Sequence, residues 1–198
     1  MINIHTKDID GVWFGVAYDG ESIFATTFAS SKDKALQVLR ESLPQGLPFQ
    51  QLAKPSTFAE NVIVVIKDIC EGKDVSHSFF FATEHLSDYA KRVIGVVSLI
   101  PPGYVASYGA VAKAAGGSPR AVGRVMAMNP FPPICACHRV VGSDFSLVGY
   151  GGGLDVKLEI LKLEKRGYAS KKEMFVGSRK LELYPVECVL RMLEKGKR

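Results

Sequence analysis

The sequence predicts an α+β protein in which a small strand-rich part precedes a mainly helical part. Apolar and polar residues alternate in the first thirty positions around the hairpin dipeptide Asp19-Gly20. From about Phe80 onward, capped helical patterns and a glycine-containing turn dominate. Hydrophobic residues make up 47% and charged residues 23% of the 198 positions, a balance that is typical of a globular chain.

The first part, residues 1–79, combines strands with helical segments and carries no motif of any chemistry. Residues 31–43 predict a helix that begins after the N-cap candidate Ser31. Residues 57–70 contain the apolar run Val62–Ile66, which fits either a helix or a strand. We therefore expect a structural role for this domain.

The second part begins with a helix that Ser87 or Asp88 can cap and that runs to about Leu99. Two short helices follow. The first is capped by Ser107 and ends at Gly116-Gly117. The second is capped by Ser118 and carries proline at its first position, where proline is favoured. Two short helices joined by a glycine turn predict a helix-turn-helix.

The two faces of the second short helix differ sharply. One face is apolar, and the opposite face carries two arginines on a floor of small residues. The apolar face holds Val122, Val125 and Met126, and the other holds Arg120, Gly123, Arg124 and Ala127. A helix with so little side chain can approach another surface closely, and the arginines favour a DNA groove. Packing against the protein's own interior is the alternative.

Charge is distributed unevenly along the chain, whose net charge is +5. Residues 101–143 contain four basic side chains and no acidic one, and residues 171–198 form a basic C-terminal extension. This pattern favours a polyanionic partner, although a mildly basic chain can also simply be soluble. Residues 80–170 are the predicted DNA-binding domain. Their last helix is expected at 154–166, with Leu154, Leu158 and Leu161 on one face and Gly167 as its stop.

The segment "PPICACHRVVG", residues 132–142, carries the chemistry-bearing side chains. Cys135, Cys137 and His138 could be metal ligands, but no second ligand pair with zinc spacing lies nearby. A redox pair normally has two intervening residues instead of one. The segment could also be a buried strand, because free cysteine is often buried. The fourth interpretation is a nucleophilic thiol.

A nucleophilic thiol requires a base, because sulfur attacks as the thiolate. A histidine held by a carboxylate is the usual arrangement. His138 is adjacent, although on an extended backbone it would point away from Cys137, so that a bridging water or a bend would be needed. The carboxylate candidate is Glu164, which lies in the last turn of its helix, where the helix dipole disfavours a negative charge. From the residues alone, these four interpretations stay open.

Two longer segments resemble the O6-alkylguanine-DNA alkyltransferases, also called methylated-DNA–protein-cysteine methyltransferases. They read "SYGAVAKAAGGSPRAVGRVMAMNPFPPICACHRVVG" and "GYGGGLDVKLEILKLE", and the resemblance runs from about Tyr89 to Glu164, with an archaeal-like start of the second short helix. Several elements recur in order and spacing. The resemblance implies a ribonuclease-H-like N-terminal domain before the helical domain.

The resemblance also implies the catalytic roles. Cys137 would accept the alkyl group, His138 would act through water as its base, and Glu164 would orient His138. Asn129 would be a hinge between the recognition helix and the active-site strand. Tyr108 would crowd the phosphate and would protonate or hydrogen-bond the leaving guanine. The protein would act once, because a thioether is a very poor leaving group, and neither metal nor soluble cofactor would be needed.

The DNA contacts implied by the resemblance are centred on Arg120, which would enter the duplex through the minor groove and replace the flipped nucleotide. The other implied DNA contacts are Tyr89, Tyr108, Gly109, Ser118, Ala121, Gly123, Arg124 and Ser143. The implied pocket for the alkylated base is formed by Met126, Val140, Val148, Gly149, Tyr150 and Gly151.

The chain departs from the family pattern at three positions. Ala136 replaces the proline that normally precedes the reactive cysteine, and Cys135 replaces an aliphatic residue. Gly151 replaces a serine, which removes a hydrogen-bonding group from the pocket loop. These changes bear on efficiency and substrate range. The zinc site found in the N-terminal domain of human-type relatives has no counterpart in the spacing of the histidines and Cys70.

Three functions are compatible with these features: a single-use DNA repair transferase, a lesion-binding protein without transfer, and a transcription regulator. Non-catalytic relatives carry tryptophan in place of the cysteine, so Cys137 favours the transferase. A regulator needs base-reading polar side chains on its recognition helix, and Gly123 and Ala127 supply none. The absence of a signal peptide and of a long apolar stretch predicts a cytoplasmic protein without membrane contact. We expect a monomer with reduced cysteines.

Overall fold

A computed structural model describes residues 1–52 and 54–195, and it has the expected α+β composition. Its contacts divide the chain into two compact units. The first unit contains residues 1–70, 74–86 and 129–134, and the second contains residues 71–73, 87–128 and the chain from 135 onward. The last three residues of the predicted 171–198 extension lie outside the described residues.

The first unit is a five-stranded sheet with the order β4-β1-β2-β3-β5. The central strands β1 (Ile2–Ile9), β2 (Val12–Asp19) and β3 (Ser22–Ala29) pair antiparallel, whereas β4 (Phe49–Gln51) and β5 (Phe80–Phe81) pair parallel at the edges. Two helices complete the unit, α1 (Lys32–Ser42) and α2 (Thr57–Cys70).

Helix α2 resolves the ambiguous apolar run of the sequence. Its buried positions recur every three or four residues, a period that fits a helix and not a strand. These positions are Ala59, Val62, Ile63, Ile66 and Ile69. The alternation in residues 1–30 gives three strands, as the sequence predicts.

The second unit combines helices with a four-stranded sheet of order β7-β6-β9-β8. Its helices are α3 (Asp88–Ser98), α4 (Tyr108–Ala115), α5 (Pro119–Ala127), α6 (Leu154–Leu163) and α7 (Val186–Lys195). Its strands are β6 (Tyr104–Ser107), β7 (Val140–Val141), β8 (Lys172–Val176) and β9 (Arg179–Pro185).

The predicted helix starts of this unit are confirmed by their caps. The hydroxyls of Ser87, Ser107 and Ser118 accept hydrogen bonds from the third backbone N–H that follows each of them. Gly116 ends α4 with φ of 78°, a left-handed conformation that favours glycine. The turn between α4 and α5 is therefore encoded locally.

The prediction for the helix at 154–166 is wrong at its end and on its buried face. Helix α6 ends at Leu163, three residues early, and its buried side chains are Lys157, Ile160 and Leu161. Leu154, expected on the buried face, is 45% exposed. The basic C-terminal extension forms strands β8 and β9 followed by α7, and β8 pairs with β9 at the edge of the sheet. No described helix is long and apolar enough to cross a bilayer.

Candidate active site and nucleic-acid interface

Cys137 lies in a single 3-10 turn, Cys137–Arg139, at the start of β7. Two short-range backbone hydrogen bonds form the bend: Cys137 N–H donates to the Cys135 carbonyl at 2.7 Å, and Arg139 N–H donates to the Ala136 carbonyl at 2.9 Å. Cys137 therefore does not lie on the expected strand, and β7 begins only at Val140. In a 3-10 turn successive side chains are about 120° apart, so Cys137 and His138 do not point in opposite directions.

The side chains of His138 and Glu164 form a buried pair. His138 Nε2 lies 3.0 Å from Glu164 Oε1, and both side chains are fully buried. Glu164 caps the C-terminus of α6, so the helix delivers the carboxylate to the turn that carries the cysteine. The sequence-based pairing of these two residues is present in the structure.

Arg139 completes this group, and sequence reasoning did not assign it a role. Its Nε donates to both carboxylate oxygens of Glu164 at 3.0 Å, and its Nη2 donates to Oε1 at 2.7 Å. Its Nη1 donates to the Ile100 carbonyl at 2.6 Å. Burial alone would raise the pKa of Glu164, but its interactions with His138 and with the Arg139 guanidinium lower it to about 2. Glu164 is therefore an anion at neutral pH.

The anion fixes the tautomer of His138. Burial lowers the pKa of His138, and the attraction of Glu164 opposes this effect only in part. The imidazole is therefore neutral at pH 7, with Nε2–H donating to Glu164. Its other nitrogen, Nδ1, is buried and has no hydrogen-bond partner among the described residues. This arrangement leaves Nδ1 available as a proton acceptor on the residue that follows the cysteine.

Cys137 itself is buried, with 7% of its surface exposed. Its neighbour Cys135 is buried more deeply, at 2% exposed, and its Sγ lies 3.9 Å from the Ile94 carbonyl. Burial raises the pKa of the Cys135 thiol, which makes it a poor nucleophile. Within the described ranges, no three His, Cys, Asp or Glu side chains are grouped so that they could hold a metal ion.

Lys157 is a second buried cation that sequence reasoning did not assign to the site. Its ammonium donates to the carbonyls of Val140 at 2.6 Å and Val148 at 2.9 Å. Burial lowers its pKa to about 8, and the charge of Cys137 acts in the opposite direction. Lys157 thus joins the strand after the cysteine to the first residue of the predicted pocket loop.

Tyr108 reaches the same loop from the first turn of α4. Its hydroxyl donates to the Val148 carbonyl at 3.3 Å. Burial, and next the charge of Cys137, raise the pKa of Tyr108. The phenol therefore keeps its proton at neutral pH and lies within electrostatic range of the cysteine.

The outer face of α5 is open, as the sequence predicts. Arg120 and Arg124 are exposed, and an added side chain at Gly123 would meet no atom within 4 Å. Val122 is fully buried on the opposite face. Met126, a predicted pocket residue, is half-buried.

The remaining predicted residues lie in several environments. Ser118 caps α5 through Ala121, and the ring of Tyr89 lies directly over Gly117 in the α4–α5 turn. Exposed predicted residues are Ser143, Val148, Gly149 and Gly151, and half-buried ones are Gly109 and Tyr150. Val140 is fully buried, so it offers little side-chain surface to a ligand. Asn129 belongs to the first unit, where its Oδ1 accepts from Phe131 N–H at 3.0 Å.

Known proteins resemble this chain over different lengths, and several of the matches include less than half of it. The family model described as 6-O-methylguanine DNA methyltransferase, DNA binding domain, matches residues 88–166. The methylated-DNA–protein-cysteine methyltransferase of Pyrobaculum aerophilum is 46% identical over 92 residues, which cover 46% of this chain and 62% of that protein. The corresponding protein of Methanothermobacter thermautotrophicus is 45% identical over 78 residues, which cover 39% of this chain and 44% of that protein. These two matches thus span less than two thirds of the relatives' own lengths.

A third relative and two solved structures extend the similarity beyond the second unit. The methylated-DNA–protein-cysteine methyltransferase of Thermococcus kodakarensis is 32% identical over 158 residues, covering 77% of this chain and 88% of that protein. The O6-methylguanine-DNA methyltransferase structure from Pyrococcus kodakaraensis has a TM-score of 0.63 at 27% identity and covers 83% of this chain and 99% of that one. Mycobacterium tuberculosis OGT in complex with DNA has a TM-score of 0.63 at 25% identity, covering 82% and 92%.

Taken together with a buried cysteine, histidine and glutamate in the expected order, these similarities show that the chain belongs to the methylated-DNA–protein-cysteine methyltransferase family.

Proposed function

We propose that this protein repairs O6-alkylguanine in duplex DNA by moving the alkyl group to its own Cys137. The observation that carries the proposal is a buried pair of side chains. His138, the residue that follows Cys137, contacts Glu164, and Arg139 holds the Glu164 carboxylate in place. Such an arrangement makes a neutral, buried histidine available as a base.

The proposed reaction moves one proton and one alkyl group. His138 Nδ1 takes the thiol proton of Cys137 through a bridging water, and Glu164 stabilises the imidazolium that forms. The thiolate then attacks the alkyl carbon, so that an S–C bond forms as the C–O6 bond breaks. The electron pair stays on guanine, whose ring takes a proton from the Tyr108 hydroxyl, and the proton held by His138 returns to Tyr108 so that the charges balance. The products are guanine and a thioether, and no redox step or soluble cofactor enters the balance.

The pocket for the flipped base is proposed between α5 and the loop that begins at Val148. Tyr108 and Lys157 both donate to the Val148 carbonyl, at 3.3 and 2.9 Å, and these two bonds support a loop position next to Cys137. We propose that Met126 and Tyr150 provide the apolar walls, with Gly149 and Gly151 giving the base close access to the backbone. Val140 contributes through its carbonyl bond to Lys157.

DNA is proposed to bind along the outer face of α5, with α4 and α5 acting as a helix-turn-helix in the minor groove. The open surface at Gly123 allows close approach, and the exposed side chain of Arg120 is free to enter the duplex and occupy the place of the flipped nucleotide. A family member from Mycobacterium tuberculosis has been crystallised with DNA. Tyr89, Ser143 and Arg124 are proposed phosphate contacts.

The wider organisation remains part of the proposal. Residues 1–79 would form a structural domain of ribonuclease-H-like fold, and residues 80–170 would bind DNA and accept the alkyl group. Asn129 would act as the hinge that follows the recognition helix. We propose that the protein works as a monomer in the cytoplasm.

The test is a single-turnover repair assay on a duplex that carries one O6-methylguanine. With lesions in excess, the proposal predicts that the number of repaired guanines equals the number of protein molecules and that intact protein gains one methyl group. Cys137→Ala should bind the lesion without repairing it, whereas Cys135→Ala, the matched control, should keep the stoichiometry. Lesion binding without any gain of mass by the unmodified protein would instead support a non-catalytic lesion-binding protein.

A further inference from the structure

The β8–β9 hairpin lies beyond the segment that matches the family's DNA-binding domain. We propose that this hairpin is a second phosphate-binding surface, which extends the DNA contact of α5 along the duplex backbone. The inference rests on the proposed docking of DNA on α5. It adds a contact surface that the matched segment does not contain.

The hairpin is joined to the helix-turn-helix at both ends of β9. At one end, β9 pairs antiparallel with β6 through Tyr104 and Pro185, and β6 leads directly into α4. At the other end, the guanidinium of Arg179 covers Gly116, so that a methyl group on this glycine would overlap it. Arg179 therefore lies on the turn that leads into Ser118 and α5. The hairpin and the proposed DNA-binding helix thus share one local framework within the second unit.

The charge of the hairpin fits a polyanion. Residues 171–180 carry four basic side chains and one acidic side chain, Glu173. Glu173 is engaged by Lys180 at 2.9 Å and by Lys171 at 3.7 Å. Arg179 and Lys172 are exposed and form no ion pair with any described residue. Two positive charges therefore remain available for a partner.

The position of these charges favours DNA as that partner. The adjoining segment, residues 101–143, contains no acidic residue, so it contributes no negative charge between the hairpin and the arginines Arg120 and Arg124. Exposed lysine and arginine side chains beside a groove-binding helix contact phosphates without reading sequence. The hairpin is therefore expected to raise affinity for damaged and undamaged duplexes alike.

The experiment measures binding to a fluorescent undamaged duplex by anisotropy over a series of KCl concentrations. Each lost phosphate contact makes the negative slope of log K against log salt less steep by about 0.9. If binding at 1 M KCl is unchanged, the affinity at 0.1 M KCl then falls by roughly eightfold for each lost contact. For the double variant Lys172→Gln/Arg179→Gln the slope should therefore be less steep by about 1.8, and the affinity at 0.1 M KCl should fall by up to about 60-fold. Arg191→Gln/Lys195→Gln on α7 removes the same total charge and should keep the wild-type slope.

Several outcomes are separable. If the hairpin variant and the α7 control have the same slope, the hairpin makes no phosphate contact and the inference is overturned. If Arg120→Ala/Arg124→Gln also binds like wild type, the docking of DNA on α5 fails as well. The rate of transfer from free O6-benzylguanine monitors the integrity of the site without DNA. If the double variant loses that rate, the single variant Lys172→Gln is used for the salt-dependence test instead, and its slope should be less steep than that of the wild type by about 0.9.

Discussion

Replacing Glu164 by glutamine tests the buried charge cluster directly, because the carboxylate has two partners with separable roles. The pKa of Glu164 is lowered from 4.5 to about 2 in the folded protein. A decrease of this size corresponds to roughly 3 kcal/mol of stability at pH 7. Because the folded pKa is the lower one, this stability is complete above pH 4.5 and is lost as the pH falls through 2. At pH 3 roughly half of this contribution or less should remain.

The substitution also leaves Arg139 buried without its carboxylate. Breaking a buried ion pair costs about 3–5 kcal/mol, so we expect Glu164→Gln to lower the free energy of unfolding by about 3–5 kcal/mol at pH 7 and by clearly less at pH 3. Urea unfolding followed by far-ultraviolet circular dichroism measures this difference. Tryptophan fluorescence does not report on the site, because the single tryptophan, Trp13, lies in the first unit.

A second substitution separates stability from catalysis. In Arg139→Met/Glu164→Gln the unpaired guanidinium is removed, so part of the lost stability should return. Alkyl transfer should nevertheless stay slow, by about 10²-fold or more, because His138 still lacks its carboxylate. A stability loss that is the same at pH 7 and pH 3 would refute the charge argument, and full recovery of the transfer rate in the double variant would refute the role of Glu164 in orienting His138.

Three further predictions concern other parts of the second unit. Arg120→Ala should slow repair of duplex DNA far more than transfer from free O6-benzylguanine, because the side chain serves only nucleotide flipping; equal losses in the two assays would disprove that role. Between pH 8 and 10.5 the folded wild-type protein has released the Lys157 proton, because the pKa of this lysine is about 8, whereas the unfolded chain still holds it. The free energy of unfolding of the wild type should therefore rise by up to about 3 kcal/mol over this pH range, and Lys157→Met should abolish the rise. The same pH dependence of unfolding in both proteins would contradict this prediction. Gly116→Ala should lower the unfolding free energy by about 1–2 kcal/mol, because φ is 78° and the new methyl group would overlap Arg179; thermal unfolding with Gly123→Ala, an open site, as the control checks this effect.

The helix starts and the glycine turn between α4 and α5 could be predicted because their signals are local. A serine hydroxyl that caps a helix contacts a backbone N–H only three residues away, as Ser107 and Ser118 do. The end of α6 was less predictable, since no glycine stops it and Glu164 turns inward to reach a distant partner. Strand β8 depends on its pairing with β9 and carries little signal of its own.

The grouping of Cys137, His138 and Glu164 in the candidate site could be predicted from the sequence, but the buried cations beside it could not. Charged side chains are exposed by default, and Arg139 is buried only because Glu164 and the Ile100 carbonyl satisfy it. A usable signal existed for Lys157, which shares a helical face with Ile160, Leu161 and Glu164 at spacings of three, four and seven. The bend at Cys137 depends on tertiary packing, and the apolar sequence around it favoured a strand instead.

The most direct test of the proposed reaction follows the alkyl group itself. A duplex whose single O6-methylguanine carries a trideuterated methyl is mixed with an equal amount of protein, and the digested protein is analysed by mass spectrometry. The proposed reaction predicts one trideuterated methyl on the peptide that contains Cys135 and Cys137, with fragmentation placing it on Cys137, and unmodified guanine in the DNA. A label on Cys135, on any other residue, or only in the unchanged DNA would contradict it.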